Sequence, residues 1–375
     1  MTRRIRIVML FVSIVGAANY MALAGPLDPP PGPVAPTHKT LSEVEPRIAI
    51  NSTNTPGDPD SLFKITQPGS YYLPGNVLGM AGKHGIEIEV LAGVPFVTID
   101  LMGFELVGVF GSLDGIRAGV GGTRNVAIRS GTVRDWGGSG INISNSANNL
   151  LTDLRAYGNG SSGIVAGPAS IVTGCTVQSV GGDGIFAEAG STVSNCSASQ
   201  NTGNGIRTGG GCTVTNCSAS TNVGHGIFGG NGCTVSNCSA YENIGSGITV
   251  DSGSTVADCT ARSNTLDGIL CTSQSVVRGN TCTLNGTGGD GVGIHATSSG
   301  NRVEGNNCTL ADRGIDVDGT GNFIARNTCS GNTTNWDVVA GNICLVVSAA
   351  TSAAIVGNSG GTDPGSTDPN ANFTY

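Results

Sequence analysis

The chain has 375 residues, with 61 glycines, 12% charged side chains and 5% aromatics, against usual values of about 7% glycine and about 25% charge. So little charge cannot hold a chain open, and the glycines lack the strict three-residue period of collagen, so disorder and a triple helix are both excluded. The formal charge of −8 repels nucleic acid and anionic lipid, and repels polyanionic glycans unless a basic patch or a bound cation intervenes.

Arg3, Arg4 and Arg6 precede an apolar run, Ile7 to Ala18, and Ala22-Leu23-Ala24 ends before Gly25. A basic start, a short apolar centre and an A-x-A site predict a secretory signal peptide over 1–24, too short for a good membrane span. Loss of its three arginines takes the formal charge from −8 to −11. The protein is therefore expected to be secreted, extracellular or periplasmic, without a transmembrane segment. Residues 25–76 read as a Pro-rich spacer and an N-terminal cap, with a short helix over Thr40 to Arg47 and two strands about Pro68-Gly69.

Beyond residue 76 the chain repeats. Gly163-Ile164, Gly184-Ile185, Gly205-Ile206, Gly226-Ile227, Gly247-Ile248 and Gly268-Ile269 follow one another every 21 residues. Looser copies extend the series from Gly85-Ile86 to Gly314-Ile315, and Trp336 takes the Ile place in a further coil. Val193, Val214, Val235 and Val256 keep the same period, as do Cys175, Cys196, Cys217, Cys238 and Cys259. Three short alternating runs per period predict three strands, and Gly and Asn every few positions exclude helices. Each repeat is one coil of a parallel β-helix, stacked on the next at about 4.8 Å. The fold expected is an all-β solenoid over 77–342 with 11 to 12 coils, closed by a C-terminal cap and polar tail over 343–375. Ile343 to Val356 within that tail reads as capping strand or core.

In-register stacking explains many polar residues. Asn195, Asn216, Asn237 and Asp258 are expected to form an internal ladder, because identical amides one strand apart can hydrogen-bond along the stack. The second row, Asn201, Asn222, Asn243, Asn264 and Asn285, is expected at turn positions with permissive φ. The cysteine row reads as a column of buried thiols, continued less regularly by Cys282, Cys308 and Cys329. A straight stack holds Cβ atoms wider apart than a disulfide prefers. Cys212 and Cys233 are the best disulfide candidates, and without any C-x-x-C a zinc site is not expected.

The Gly-Ile, Val-x-Asn-Cys coil resembles the right-handed parallel β-helix superfamily of pectate lyases, polygalacturonases, polyuronate epimerases and phage tailspikes. Ile65-Thr-Gln-Pro-Gly-Ser-Tyr-Tyr-Leu-Pro-Gly-Asn76, Asp114-Gly-Ile116 and Ala371-Asn-Phe373 more specifically resemble bacterial secreted β-helix proteins of unassigned function. The resemblance covers nearly all of the mature chain and implies fold more strongly than activity. Gly224-His225-Gly226 is similar to a polygalacturonase segment, but the Asp-Asp pair and Arg-Ile-Lys of those enzymes are absent. So is the Asp-Pro-His-Glu of the epimerases.

Two outward rows remain as candidates. Phe186, Arg207 and Phe228 follow the core Ile on successive coils and form a candidate sugar-binding strip. Further along, His295, Asp316 and Asp337 occupy the same outward slot and are the candidate catalytic residues. Spacing near 5 Å suits an acid and nucleophile at a glycosidic bond, or Asp316 and Asp318 sharing a calcium ion, with Arg313 on the same coil. Repulsion among the carboxylates should raise the pKa of one of them. The expectation is a protein that binds, and can cleave, an extracellular polysaccharide; the alternative is a non-enzymatic surface or structural rod.

Overall fold

A computed structural model describes residues 47–90, 96–119, 123–287, 289–348 and 368–375. The expected signal peptide, spacer and short helix lie outside these residues, as does most of the C-terminal tail. Residues Arg47–Tyr375 make up one unit, a parallel β-solenoid in which every coil adds one strand to a thirteen-strand sheet and up to two to a 26-strand sheet. Among the described residues there is no helix, and so none long and apolar enough to cross a membrane.

One coil shows the scheme. Ile206–Thr208 lies in the smaller sheet, and Thr213–Thr215 and Ser218–Ser220 lie in the larger one. Each strand pairs in parallel with its copy on the next coil, Ile206 with Ile227, Val214 with Val235 and Ala219 with Ala240. Because side chains alternate across a strand, these residues all face one shared interior and are fully buried. The part of the expected N-terminal cap that is described already belongs to this stack. Ser61–Ile65 pairs with His84–Ile88, and Gly69–Tyr72 with Val97–Asp100.

The Gly of each Gly-Ile pair is fixed by close approach. A Cβ on Gly226 would stand 2.6 Å from the carbonyl oxygen of Gly247 and 2.7 Å from Asn243 Nδ2. That is well inside van der Waals contact, so only hydrogen fits between neighbouring coils.

The two asparagine rows exchange the roles expected of them. Asn195, Asn216, Asn237 and Asp258 hold φ of 53 to 55°, the left-handed region that Asn and Asp tolerate. They bend the chain between the two strands of the larger sheet. Asn201, Asn222, Asn243 and Asn264 are instead wholly buried. Asn222 Nδ2 donates to Asn243 Oδ1 at 2.9 Å, and Asn243 Nδ2 donates to Asn264 Oδ1 at 3.0 Å. The internal ladder is this second row.

The cysteines also divide differently. Cys175 to Cys259 form one buried column, in which the Cys238 N–H donates to Cys259 Sγ at 3.4 Å. The column continues not through Cys282 but through Asn280, which accepts the Cys259 N–H at 2.9 Å, and then through Asn306, Asn327 and Asn372. Cys282, Cys308 and Cys329 stack on Ala261 in the neighbouring strand. Cys212 and Cys233 are free thiols, the Cys212 N–H donating to Cys233 Sγ at 3.4 Å. All twelve cysteines are free, and only Cys344 is not fully buried. Burial pushes Cys271 up to about 12 and Cys344 up to about 11. A thiol reagent is expected to label native protein at Cys344 at most and all twelve sites in guanidinium. Labelling counted by mass would contradict the column if native protein took up several labels, or if the unfolded chain kept linked pairs.

At the far end, Ile343–Cys344 and Val346–Ser348 are strands. Asn372–Thr374 pairs with Thr328–Ser330 on one side and with Val346–Ser348 on the other. The chain terminus is thus an inserted rung of the solenoid, held by Asn372 and by Trp336 Nε1 donating to Thr374 Oγ1 at 2.8 Å.

Candidate functional site

The outward position after each core Ile forms one register column on the thirteen-strand sheet. Phe186, Arg207, Phe228, Thr249, Leu270, His295, Asp316 and Asp337 are consecutive Cα partners. The two expected candidate rows are therefore one strip, interrupted by Thr249 and Leu270.

At its aromatic end, the Arg207 guanidinium lies over the Phe186 ring, 5.0 Å from its centroid, and its NH1 stands 3.6 Å from Asp183 Oδ2. Phe186 and Phe228 are half-buried and Arg207 is exposed. Beside Phe228 stands His225, its ring centroid 6.2 Å away. His225 Nδ1 accepts the Ser246 backbone N–H at 3.1 Å.

The other end is an ion cluster. His295 Nδ1 stands 3.3 Å from Asp267 Oδ2, and Nε2 stands 3.0 Å from Asp318 Oδ2 and 4.0 Å from Asp316 Oδ2. Burial alone would push this imidazole down, but hydrogen bonds to Asp267 and Asp318 and the field of Asp267 and Asp316 outweigh it. His295 is raised to about 9, so it carries a proton on both nitrogens at neutral pH. Arg313 ties the next carboxylates together. Its Nε stands 3.1 Å from Asp316 Oδ2 without hydrogen-bond alignment, NH1 3.7 Å from Asp337 Oδ2, and NH2 2.5 Å from Asp290 Oδ1.

Asp316 points outward by strand alternation, since Ile315 and Val317 on either side are in the core. Yet it is only 4% exposed, enclosed by Arg313 and His295. Burial raises its pKa, with Asp318 and Asp337 adding repulsion and His295 and Arg313 opposing. Asp337 is 53% exposed and Asp318 55%. The structure thus brings His295, Asp316, Asp318 and Arg313 together, with Asp337 at the edge. Sequence reasoning missed Asp267, which holds the inner nitrogen of His295, and Asp290. Asp267 occupies the slot before Gly268-Ile269, a row whose varied residues carry no pattern of their own.

Ligand atoms of His295, Asp316 and Asp318 lie within 4.8 Å of one another. Calcium takes six or more oxygens, and of the two carboxylates expected to share it, Asp316 already faces Arg313 Nε at 3.1 Å, so the set fits that ion poorly.

A family model described as a right-handed beta helix region matches residues 109–228 and 162–308, together more than half of the chain. A search of curated proteins finds no match. Among solved structures, the A-module of the mannuronan C-5 epimerase AlgE4 of Azotobacter vinelandii is 16% identical with a TM-score of 0.50, over 77% of this chain and 85% of that one. The tailspike of E. coli bacteriophage HK620, solved with a pentasaccharide, is 12% identical with a TM-score of 0.47, over 77% and 67%. An alginate lyase from Paenibacillus sp. is 16% identical with a TM-score of 0.38, over 63% and 87%. At such identities the likeness is one of fold.

Proposed function

Because the chain belongs to the right-handed β-helix family, we propose that it is an exported protein that binds an extracellular polysaccharide along the outer face of its thirteen-strand sheet. The observation that carries this reading is the single column from Phe186 to Asp337. Its seven inter-strand steps, at about 4.8 Å each, make a strip about 34 Å long, enough for several sugar rings in a row. Phe186 and Phe228 offer ring faces to sugars, and His295, Asp318 and Asp337 offer polar partners at the far end. The fold shared with a mannuronan epimerase module suits the reading.

Cleavage is the finer proposal. In this reading His295, protonated up to about pH 9, gives the proton on Nε2 to a glycosidic oxygen that displaces the exposed Asp318 carboxylate from it, and does not accept one. Asp337 is the exposed carboxylate two coils away, and the buried Asp316 would position both through Arg313 and His295. The alternative of a structural rod is favoured by the pairing of every cation in this cluster.

The test is binding of neutral and uronic polysaccharides by affinity electrophoresis, with product analysis, on wild type, Phe228→Ala and Asp316→Ala. Phe228→Ala is expected to weaken binding about tenfold or more, the worth of a lost stacking platform together with its buried area. No binding to any glycan would leave the structural rod. Product formation untouched by Asp316→Ala would remove the cluster as the reactive site.

A further inference from the structure

We propose that His225 donates a hydrogen bond from Nε2 to a hydroxyl of an uncharged sugar ring stacked on Phe228, making the strip selective for neutral glycans over uronates. This deepens the polysaccharide reading and rests on it.

The slot before Gly-Ile has a structural duty that the sequence pattern hides. Where the slot holds Asp, Asn or His, its side chain accepts the backbone N–H of the same slot one coil on: Asp183 Oδ1 takes the Asn204 N–H at 2.8 Å, and Asn204 Oδ1 takes the His225 N–H at 3.0 Å. His225 performs this duty with Nδ1, which accepts the Ser246 N–H at 3.1 Å and lies 3.3 Å from the Thr249 hydroxyl. A nitrogen that accepts a backbone N–H carries no proton, so the ring proton sits on Nε2. Nε2 has no partner among the described residues and is not an enclosed atom. An Asn, as at 204, would discharge the same duty; the histidine adds a donor held by the backbone at the rim of Phe228, its ring tilted 31° to the phenyl plane. A pyranose stacked on an aromatic face presents its hydroxyls at that rim.

The charges around this subsite point to a neutral ligand. Arg207 is the cation beside it, and it already faces Asp183 at 3.6 Å. Burial disfavours a second proton on His225. Two to five coils further along the same sheet, Asp267, Asp290, Asp316, Asp318 and Asp337 outnumber His295 and Arg313. A uronate carboxylate therefore meets no unpaired positive charge here and a net negative one at the far end.

The experiment measures Kd for hexamers of β-1,4-linked mannose, glucose and galactose and for the mannuronate hexamer, on wild type and His225→Asn. The variant keeps the acceptor for the Ser246 N–H, so folding is preserved, and it withdraws the donor from the rim of Phe228. The expected result is that a neutral hexamer binds more tightly than the mannuronate hexamer, and that His225→Asn weakens it about five- to tenfold, the worth of one neutral hydrogen bond. Equal binding by wild type and His225→Asn, or preference for the mannuronate hexamer, overturns the proposal and leaves the polysaccharide reading standing. If no hexamer of either class binds, the polysaccharide reading itself fails and takes this proposal with it.

Discussion

Asn243→Ala is expected to destabilise the solenoid by about 3–5 kcal/mol, whereas Asn237→Gly in the same coil is expected to change stability by less than about 0.5 kcal/mol. The contrast follows from what each side chain touches. Asn243 is 0% exposed; its Oδ1 accepts the Asn222 N–H at 3.0 Å and Nδ2 at 2.9 Å, and its own Nδ2 reaches the Ala219 carbonyl at 3.1 Å. Alanine would leave the buried Asn222 N–H without its partner, at a cost of about 1–3 kcal/mol, and would strip one bond each from Asn222 Nδ2, which keeps the Ala198 carbonyl, from Asn264 Oδ1, which keeps the backbone N–H of residue 243, and from the Ala219 carbonyl. Asn237 has φ of 53° and no side-chain hydrogen bond to satisfy, and glycine takes that backbone conformation without strain. Guanidinium unfolding followed by circular dichroism measures both. Similar losses at the two positions would contradict the exchange of roles between the asparagine rows.

Stability is expected to fall by about 2–3 kcal/mol between pH 6.5 and 9.5 in the wild type, and the His295→Gln variant is expected to lack that loss. His295 is raised from 6.5 to about 9 in the folded protein by Asp267 and Asp318, against the pull of burial. A group whose folded pKa is raised adds stability that is fully present below its unfolded value and is lost as pH rises through the folded one. The window is therefore about pH 6.5 to 9. Each tenfold gain in proton affinity on folding is worth about 1.4 kcal/mol; His295 and Asp267 are 20% and 11% exposed, but Asp318 is 55% exposed, so solvent screening of that second pair holds the loss below the full conversion. Denaturant midpoints at pH 6, 7.5 and 9.5 measure it; a difference between wild type and variant that does not change with pH would contradict an imidazolium at this position.

The solenoid was legible in the sequence because its period is also its geometry. A 21-residue coil that returns Gly226 against Gly247 excludes any side chain at that point, and so writes Gly-Ile into every turn. The roles of the two asparagine rows are not legible, because both rows sit beside turns. Spacing cannot separate a left-handed φ at Asn237 from a buried amide at Asn243, and only the path of the chain decides. The end of the cysteine column is legible from the period alone. Cys282 lies 23 residues after Cys259, whereas Asn280 lies 21 after it, so the period itself names Asn280 as the successor. At the candidate site, strand alternation placed Phe186, Arg207, Phe228, His295, Asp316 and Asp337 on one face. It could not show that Arg313 and His295 would close over Asp316, or that Asp267 and Asp290 would come in from neighbouring positions to pair with them. Those contacts depend on side-chain reach between coils, which a one-dimensional period does not contain.

Hydroxyl-radical footprinting with the tightest-binding glycan tests the central claim most directly. If a polysaccharide lies along the outer column of the thirteen-strand sheet, Phe186, Phe228, His225 and His295 become protected when it is added, while Tyr157 and Tyr241, exposed on the 26-strand sheet, are modified as before. Protection at Tyr157 or Tyr241, with the phenylalanines unchanged, would contradict it.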